Sequence, residues 1–247
     1  MTAAAPLRVG MIGAGMISSY HLKAWARCPG GEVVGIADPD GVAARGRAAE
    51  FDIPAVYADA VELMEALRPD AVDVAAPMEV HAEICRAAAD RVRPQRLHQL
   101  DRSVIHQIDA LRFLLDGLAV AGARLARLSD KVVGEDTAMV LLESPGGAIG
   151  TLSTSLTVPG AGPRSSDTLT LIGETGTIAF RDWVLSCTAD GATESFEREV
   201  VYQASFDAVI AQFVGSLRHG ERFETTAEEN LATLQLVDDV YRMAGWP

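Results

Sequence analysis

Gly13-Ala14-Gly15 and, 25 residues after Gly13, Asp38 are the first positions whose types and spacing could do chemistry. A short apolar run, Val9 to Ile12, leads into the glycines, and a helical pattern starts at Met16. Strand, glycine turn and helix in that order bring backbone N–H groups and the positive end of a helix to one point, which suits a pyrophosphate. Gly13 allows the tight turn and Gly15 lets a phosphate approach the backbone, while Ala14, Met16 and Ile17 bring their N–H groups to the same place. Ser18 stands where the third glycine of G-x-G-x-x-G would fall, and a small residue there still permits close helix–strand packing. The same residues also describe a glycine-rich turn that holds no ligand. Asp38 ends a second apolar run, Glu32–Ala37, near the ~20-residue spacing of an acid that takes ribose hydroxyls. A carboxylate there favours NAD over NADP, because it repels a 2′-phosphate. Asp38 also opens Asp38-Pro39-Asp40-Gly41, a good turn sequence in its own right.

His106 and Asp109 form the second candidate group. Oxidising an alcohol carbon needs a base for the hydroxyl proton, and a histidine titrates near neutrality. Asp109, three residues on, shares a helix face with His106 and could orient or charge it. A hydrogen-bonded histidine at a domain junction and a favourable acid near a helix N-terminus remain the structural alternatives. His81 fits either first-turn packing or a cofactor pocket. His21 and His219 read as surface or helix residues, and His98 has no assignable role. No H-x-x-x-H or Cys/His cluster occurs, so no metal is expected.

These residues need elements to hold them. The chain has 247 residues, 49% hydrophobic and 22% charged, enough for one large or two small domains. A net charge of −13 argues against a nucleic-acid partner. Cys28, Cys85 and Cys187 are widely spaced and odd in number, so free thiols in a reducing cytoplasm are expected. No apolar run approaches the ~20 residues of a membrane helix, and no signal-peptide pattern is present, so no membrane partner is expected. Helices are expected over 16–27, 41–51, 60–67 and 80–89, alternating with strands near 7–12, 32–37, 55–57 and 71–75, which implies parallel βαβ units. Arg91–Asp101 is polar and basic and breaks the rhythm, so the division falls there: 1–95 and 96–247. A helix over 103–116, capped by Ser103, follows. Strands are then expected near 120–129, 136–143, 147–158, 167–173, 176–180, 183–188 and 195–201, joined by hairpin turns into a mainly antiparallel sheet. Helices near 204–218 and 227–243 close the chain, the last with Thr226 and Glu229 as a capping box. In 151–158, threonines and serines alternate with Leu152, Thr154, Leu156 and Val158, leaving one face polar enough for solvent or a second copy in a homo-oligomer.

Order and residues together resemble the glucose–fructose oxidoreductase / inositol dehydrogenase family (Gfo/Idh/MocA). The likeness runs from VGMIGAGMISSYHLKAW through IADPD and VAAPMEVHAEI to IHQIDALRFLLDG, EDTAMVLLESPGGAIGTL and FETTAEENLATLQLVDDVYR. It implies an α/β protein, with an N-terminal Rossmann domain joined to a C-terminal domain on an open, mainly antiparallel sheet. It implies an NAD(P)-dependent oxidoreductase acting on a sugar or polyol. Gly13 and Gly15 then match the phosphate-turn glycines and Asp38 the ribose acid. Pro77 and His81 match a P-x-x-x-H beside the nicotinamide. His106 and Asp109 match the H-x-x-D used in acid–base work on the substrate hydroxyl.

The chain departs from that family where chemistry should occur. The family's Glu-Lys-Pro, whose lysine helps move the substrate proton, is absent, and the only lysines are Lys23 and Lys131. Its fifth and sixth parallel strands have no counterpart, so the Rossmann domain is shortened, as by an internal deletion. Three outcomes are compatible: an oxidoreductase using His106 without the lysine, a non-catalytic relative that binds a nucleotide or sugar, and an inactive remnant.

Overall fold

Apolar residues of Leu7–Ile12 face both ways, and such a strand must be covered on two sides. In the computed structural model, which describes residues 5–77, 80–81, 84, 104–130, 134–158 and 166–246, this strand is β1. It is followed by α1 (Ser18–Arg27), β2 (Gly31–Ala37), α2 (Gly41–Glu50), β3 (Val56–Tyr57), α3 (Ala60–Leu67) and β4 (Ala71–Val74). The four strands are parallel in the order β3-β2-β1-β4. Met11 packs on one face with Leu22, Ile36 and Ala44, and Ile12 on the other with Ala37 and Leu63. Burying side chains of this size stabilises the sheet by roughly 1.5–3 kcal/mol each. Asp40 caps α2 through the N–H groups of Val42 and Ala43, and Asp59 caps α3 through those of Val61 and Glu62. Each cap contributes ~1 kcal/mol and fixes where the helix begins.

The expected helix over 80–89 is seen at Val80, His81 and Ile84. Its remainder, Cys85, the junction 91–101 with His98, and Ser103 lie outside the described residues. Then come α4 (Ile105–Leu114), β5 (Ala119–Ala126), β6 (Thr137–Glu143), β7 (Ile149–Ser155), β8 (Thr168–Ile172), β9 (Thr177–Arg181), β10 (Val184–Cys187), β11 (Thr193–Ser195), α5 (Arg198–His219) and α6 (Ala227–Ala244). The strands after α4 pair antiparallel in two sheets, β5-β6-β7 and β11-β10-β9-β8.

The chain forms two compact units, Met1–Arg93 with Gly162–Arg222, and Pro94–Ala161 with Phe223–Pro247. This differs from the contiguous 1–95 and 96–247 division read from the sequence. The reason is α5. Its Ile210 and Val214 enter one core with Val9, Ala24 and Trp25. Polar contacts reinforce the packing: Arg27 pairs with Asp207 at 2.6 Å, and Gln203 Nε2 donates to the Tyr20 carbonyl at 3.1 Å. Tyr20 and Phe206 stack with ring centroids 5.4 Å apart, and Tyr202 lies edge-on to both, at 5.0 and 5.2 Å. The expected strand over 195–201 is therefore a correction. The sheet stops at Ser195, and Arg-Glu-Val-Val-Tyr opens a helix, because Phe206, Ile210 and Val214 recur at helical spacing and find α1. Packing overrides the β preference of Val200 and Val201. By length and composition the 22-residue α5 would also pass for a membrane-crossing helix, which the sequence reading did not anticipate.

In the second unit, Ala138, Val140 and Leu142 alternate inward along β6 and meet Ile108 of α4 and Leu236, Val237 and Val240 of α6. Met139 and Leu141 point outward, opposite Ser153 and Thr151 of β7. Thr226 caps α6 by accepting the Glu229 N–H at 3.3 Å, and the Glu229 carboxylate takes Arg112 of α4 at 3.0 Å. Asp136 closes this unit's loop. Burial alone would raise its carboxyl, but the N–H groups of Leu128 and Ser129 and the Thr137 hydroxyl outweigh that and hold it below the ordinary carboxylate range. A depressed folded-state value stabilises the fold above the unfolded value of about 3.9, and the contribution is lost as pH falls through the folded value. Asp136→Asn is therefore expected to lower the urea midpoint at pH 7, with the gap to the parent chain narrowing as pH approaches 3.

Candidate functional site

β1 delivers the chain to Gly13 at the carboxyl end of the parallel sheet. Gly13 has φ +102°, and its N–H donates to the Ala37 carbonyl at 2.8 Å, which locks the turn onto the end of β2. A Cβ here would stand 2.7 Å from the Ala75 backbone. Only glycine suits that position. At Gly15 the opposite holds, since a Cβ would meet nothing within 4 Å and the residue is exposed. α1 has no side-chain cap, and among the described residues no acceptor takes the N–H groups of Gly15, Met16 or Ile17. Uncapped N–H groups at a helix start, facing open space, fit a phosphate group. Ser18 is fully buried, and its hydroxyl donates to the Gly15 carbonyl at 2.7 Å, so the residue in the third-glycine position braces the turn.

Asp38 faces the same turn. Its Oδ2 accepts the Ala14 N–H at 2.7 Å and its Oδ1 the Asp40 N–H at 2.8 Å. A carboxylate has about four acceptor positions, so both oxygens keep room for ribose hydroxyls. Across the sheet, the end of β4 closes on Gly13. The Ala75 N–H donates to the Ile12 carbonyl at 2.8 Å, Pro77 is exposed, and His81 Nε2 donates to the Ala76 carbonyl at 2.6 Å. Gly13, Ala14, Gly15, Asp38, Pro77 and His81 thus gather at the carboxyl ends of β1, β2 and β4, where the strand order reverses and open α/β sheets bind their ligands.

His106 and Asp109 belong to the second unit and lie on α4. Both are exposed. The expected partnership between them is not what the structure shows. Among the described residues His106 has no hydrogen bond to Asp109. Asp109 Oδ1 accepts the hydroxyl of buried Thr233 on α6 at 2.7 Å and lies 3.7 Å from Arg112. Arg112 also donates to Thr233 and to the Glu229 carbonyl. Asp109 therefore fastens α4 to α6. The helix begins after Val104 without a side-chain cap.

His21 is the helix residue of the two alternatives, on α1, and it is half-buried with a partner the sequence did not name: Nδ1 pairs with Asp73 of β4 at 2.9 Å, and Trp25 Nε1 donates to the same carboxylate at 2.7 Å. The signal was Asp73 itself, a lone acid inside the apolar strand Ala71–Val74. Among the described residues no group of three or more His, Cys, Asp or Glu side chains is placed to hold a metal ion.

Two sequence patterns match the chain. Residues 7–93 match the oxidoreductase family with the NAD-binding Rossmann fold (Gfo/Idh/MocA), and residues 77–179 match the GFO/IDH/MocA C-terminal domain. The chain belongs to the Gfo/Idh/MocA family. Its two family regions overlap over 77–93, with no residues intervening between them. A D-apiose dehydrogenase of Paraburkholderia graminis is 24% identical, covering 95% of this chain and 86% of the relative. That alignment runs over 325 positions against 247 residues here, so at least 78 positions of the relative (325 less 247) face no residue of this chain. Inositol 2-dehydrogenase 4 of Saccharopolyspora erythraea is 36% identical over 89 residues, 36% of this chain and 26% of the relative. Among solved structures, an oxidoreductase from Agrobacterium radiobacter in complex with NAD+, L-tartaric acid and magnesium superposes with a TM-score of 0.80 at 20% identity, over 98% of this chain and 97% of the other. WlbA dehydrogenase from Bordetella pertussis, in complex with NADH and UDP-GlcNAcA, gives 0.76 at 18% identity, over 97% and 96%. These structural likenesses establish the fold of this Gfo/Idh/MocA chain.

Proposed function

We propose that this chain is an NAD-preferring oxidoreductase that moves a hydride between the nicotinamide and a hydroxyl-bearing carbon of a sugar or polyol. One observation carries the cofactor half: the Gly13 turn, with open approach at Gly15 and the Asp38 carboxylate on the Ala14 N–H. The N–H groups of Gly15, Met16 and Ile17 hold the pyrophosphate, and Asp38 accepts the adenosine ribose hydroxyls. Pro77 and His81, at the end of β4, face the nicotinamide half. The bound nicotinamide supplies the hydride acceptor. His106 takes the proton of the substrate hydroxyl, and Asp109, through Thr233 and Arg112, positions the helix that carries it. The curated relatives are named for D-apiose and inositol, both polyhydroxylated, so these are the first substrates to try.

Absence of Glu-Lys-Pro predicts slow turnover, since loss of one acid–base group commonly costs ~10²–10⁴ in rate. It equally favours a second reading, a relative that binds nucleotide or sugar without catalysis. NAD reduction followed by absorbance in the presence of either polyol separates the two. Asp38→Ala is expected to weaken NADH binding about 10–100-fold, the effect of losing hydrogen bonds to a charged acceptor, as read by cofactor fluorescence. Unchanged affinity would remove Asp38 from the site.

A further inference from the structure

Apolar packing alone does not aim α1. Leu22 meets Met11 and Ile36 in one core, and Ala24 and Trp25 meet Val9 in another. Such contacts are non-directional, so they hold a helix on a sheet without fixing its rotation or its position along its own axis. The N–H groups assigned above to the pyrophosphate sit at the start of this helix, and no side chain caps them. Their direction depends on what fixes α1.

Asp73 supplies that anchor. It stands opposite Met11 in the β1–β4 register, on the face of the sheet that α1 covers. His21 and Trp25 lie one turn apart on α1 and share a helix face. Both donate to the one carboxylate: His21 Nδ1 to Oδ1 at 2.9 Å and to Oδ2 at 3.0 Å, and Trp25 Nε1 to Oδ2 at 2.7 Å. A carboxylate only accepts, so Nδ1 carries the proton. Phe206 of α5 lies against the His21 ring, with centroids 4.9 Å apart. Hydrogen bonds are directional, and two donors a turn apart on one acceptor set both the rotation and the height of the helix. The path to the cofactor turn is short. The His21 and Tyr20 N–H groups both bond the Ile17 carbonyl, and Ile17 carries one of the open N–H groups. A charged pair this enclosed, with the Asp73 side chain 14% exposed, adds little net stability, because desolvation offsets the attraction and an apolar residue of similar size would pack as well. What the carboxylate adds is fixed geometry.

We propose that Asp73 is a positioning residue for the dinucleotide: through His21 and Trp25 it sets the first turn of α1 so that the N–H groups of Gly15, Met16 and Ile17 converge on the pyrophosphate. This rests on the dinucleotide reading above. The test titrates NADH into the full chain by cofactor fluorescence, at a temperature where circular dichroism shows each variant folded. Asp73→Asn is expected to weaken NADH about tenfold, short of the ~10²-fold that an ångström of misplacement can cost. His21→Leu does the same, while His21→Asn, which keeps an N–H donor near the place of Nδ1, recovers most of the affinity. Coupling to the turn is the readout that a merely structural role would not move. Gly15→Ala already obstructs the phosphate, so Asp73→Asn adds less than about threefold on top of it, whereas on top of Asp38→Ala, which acts at the ribose, it keeps its full effect. If Asp73→Asn does not fold, the two His21 variants carry the same comparison. Parent-like NADH affinity in the folded variants overturns this proposal alone, as does a loss that adds in full to that of Gly15→Ala. A folded parent that binds no NADH overturns the dinucleotide reading and this proposal together.

Discussion

Gly13→Ala abolishes dinucleotide binding and lowers the unfolding temperature of the first unit. The added methyl has nowhere to go. At φ +102° an L-residue is strained by roughly 1–2 kcal/mol. The Cβ would also stand 2.7 Å from the carbonyl carbon and oxygen of Ala75 and 2.8 Å from the Ala76 nitrogen. These are backbone atoms, and the Ala75 N–H is tied to Ile12, so no side-chain rotation relieves the clash. Forcing the strand ends apart adds roughly 1–3 kcal/mol, the usual cost of overpacking. A loss of about 2–5 kcal/mol is large against the ~5–15 kcal/mol that holds a typical domain. Gly15→Ala is the control. Its Cβ would meet nothing in the free chain, so melting is unchanged, but the methyl stands where the phosphate approaches and NADH affinity falls. Thermal unfolding and NADH fluorescence on both variants separate fold from site. Equal melting of Gly13→Ala and the parent would contradict the turn geometry.

His106→Ala lowers turnover about 10²–10⁴-fold with little change in stability or in NADH affinity. The side chain is exposed, so its removal opens no cavity, and exposed substitutions usually move stability by about ±0.5 kcal/mol. The cofactor turn belongs to the other unit and keeps its own contacts. The loss is therefore expected in kcat rather than in cofactor binding, as steady-state kinetics on the responsive polyol would read. Asp109→Asn is expected to act differently. The amide oxygen can still accept from Thr233, but the charge opposite Arg112 is gone, so a modest loss of stability accompanies any loss of rate. Parent-like turnover in His106→Ala would move the proton step to another group.

The parallel half was legible because each strand ends at a residue type that the next element requires. Val9 to Ile12 must be covered on both faces and Gly13 must turn, whereas the caps Asp40 and Asp59 show only in the structure. The candidate residues of that half came with the turn, since the contacts of Gly13 and Asp38 run through backbone geometry that sequence spacing encodes. What stayed hidden depends on partners far along the chain. Nothing near Tyr20 or Arg27 announces that Glu199 and Asp207 will lie against them, nearly 180 residues on, so α5 could not be assigned to the first unit. Glu-Val-Val-Tyr reads as strand until α1 is there to receive the helix. Asp109 looked like a partner of His106 because helical spacing makes them neighbours, whereas Thr233, 124 residues away, takes its carboxylate. Ser18 was legible as a small residue, and only the position of the Gly15 carbonyl shows what it holds.

A chain at least 78 positions shorter than its D-apiose dehydrogenase relative over their matched span raises one question before all others: does its parallel unit still hold the dinucleotide? Titration of NADH into the purified chain, followed by cofactor fluorescence beside Asp38→Ala, answers it. Saturable binding that NAD displaces and Asp38→Ala weakens is the result the turn geometry predicts. A folded chain that shows no saturable binding up to millimolar NADH would contradict it.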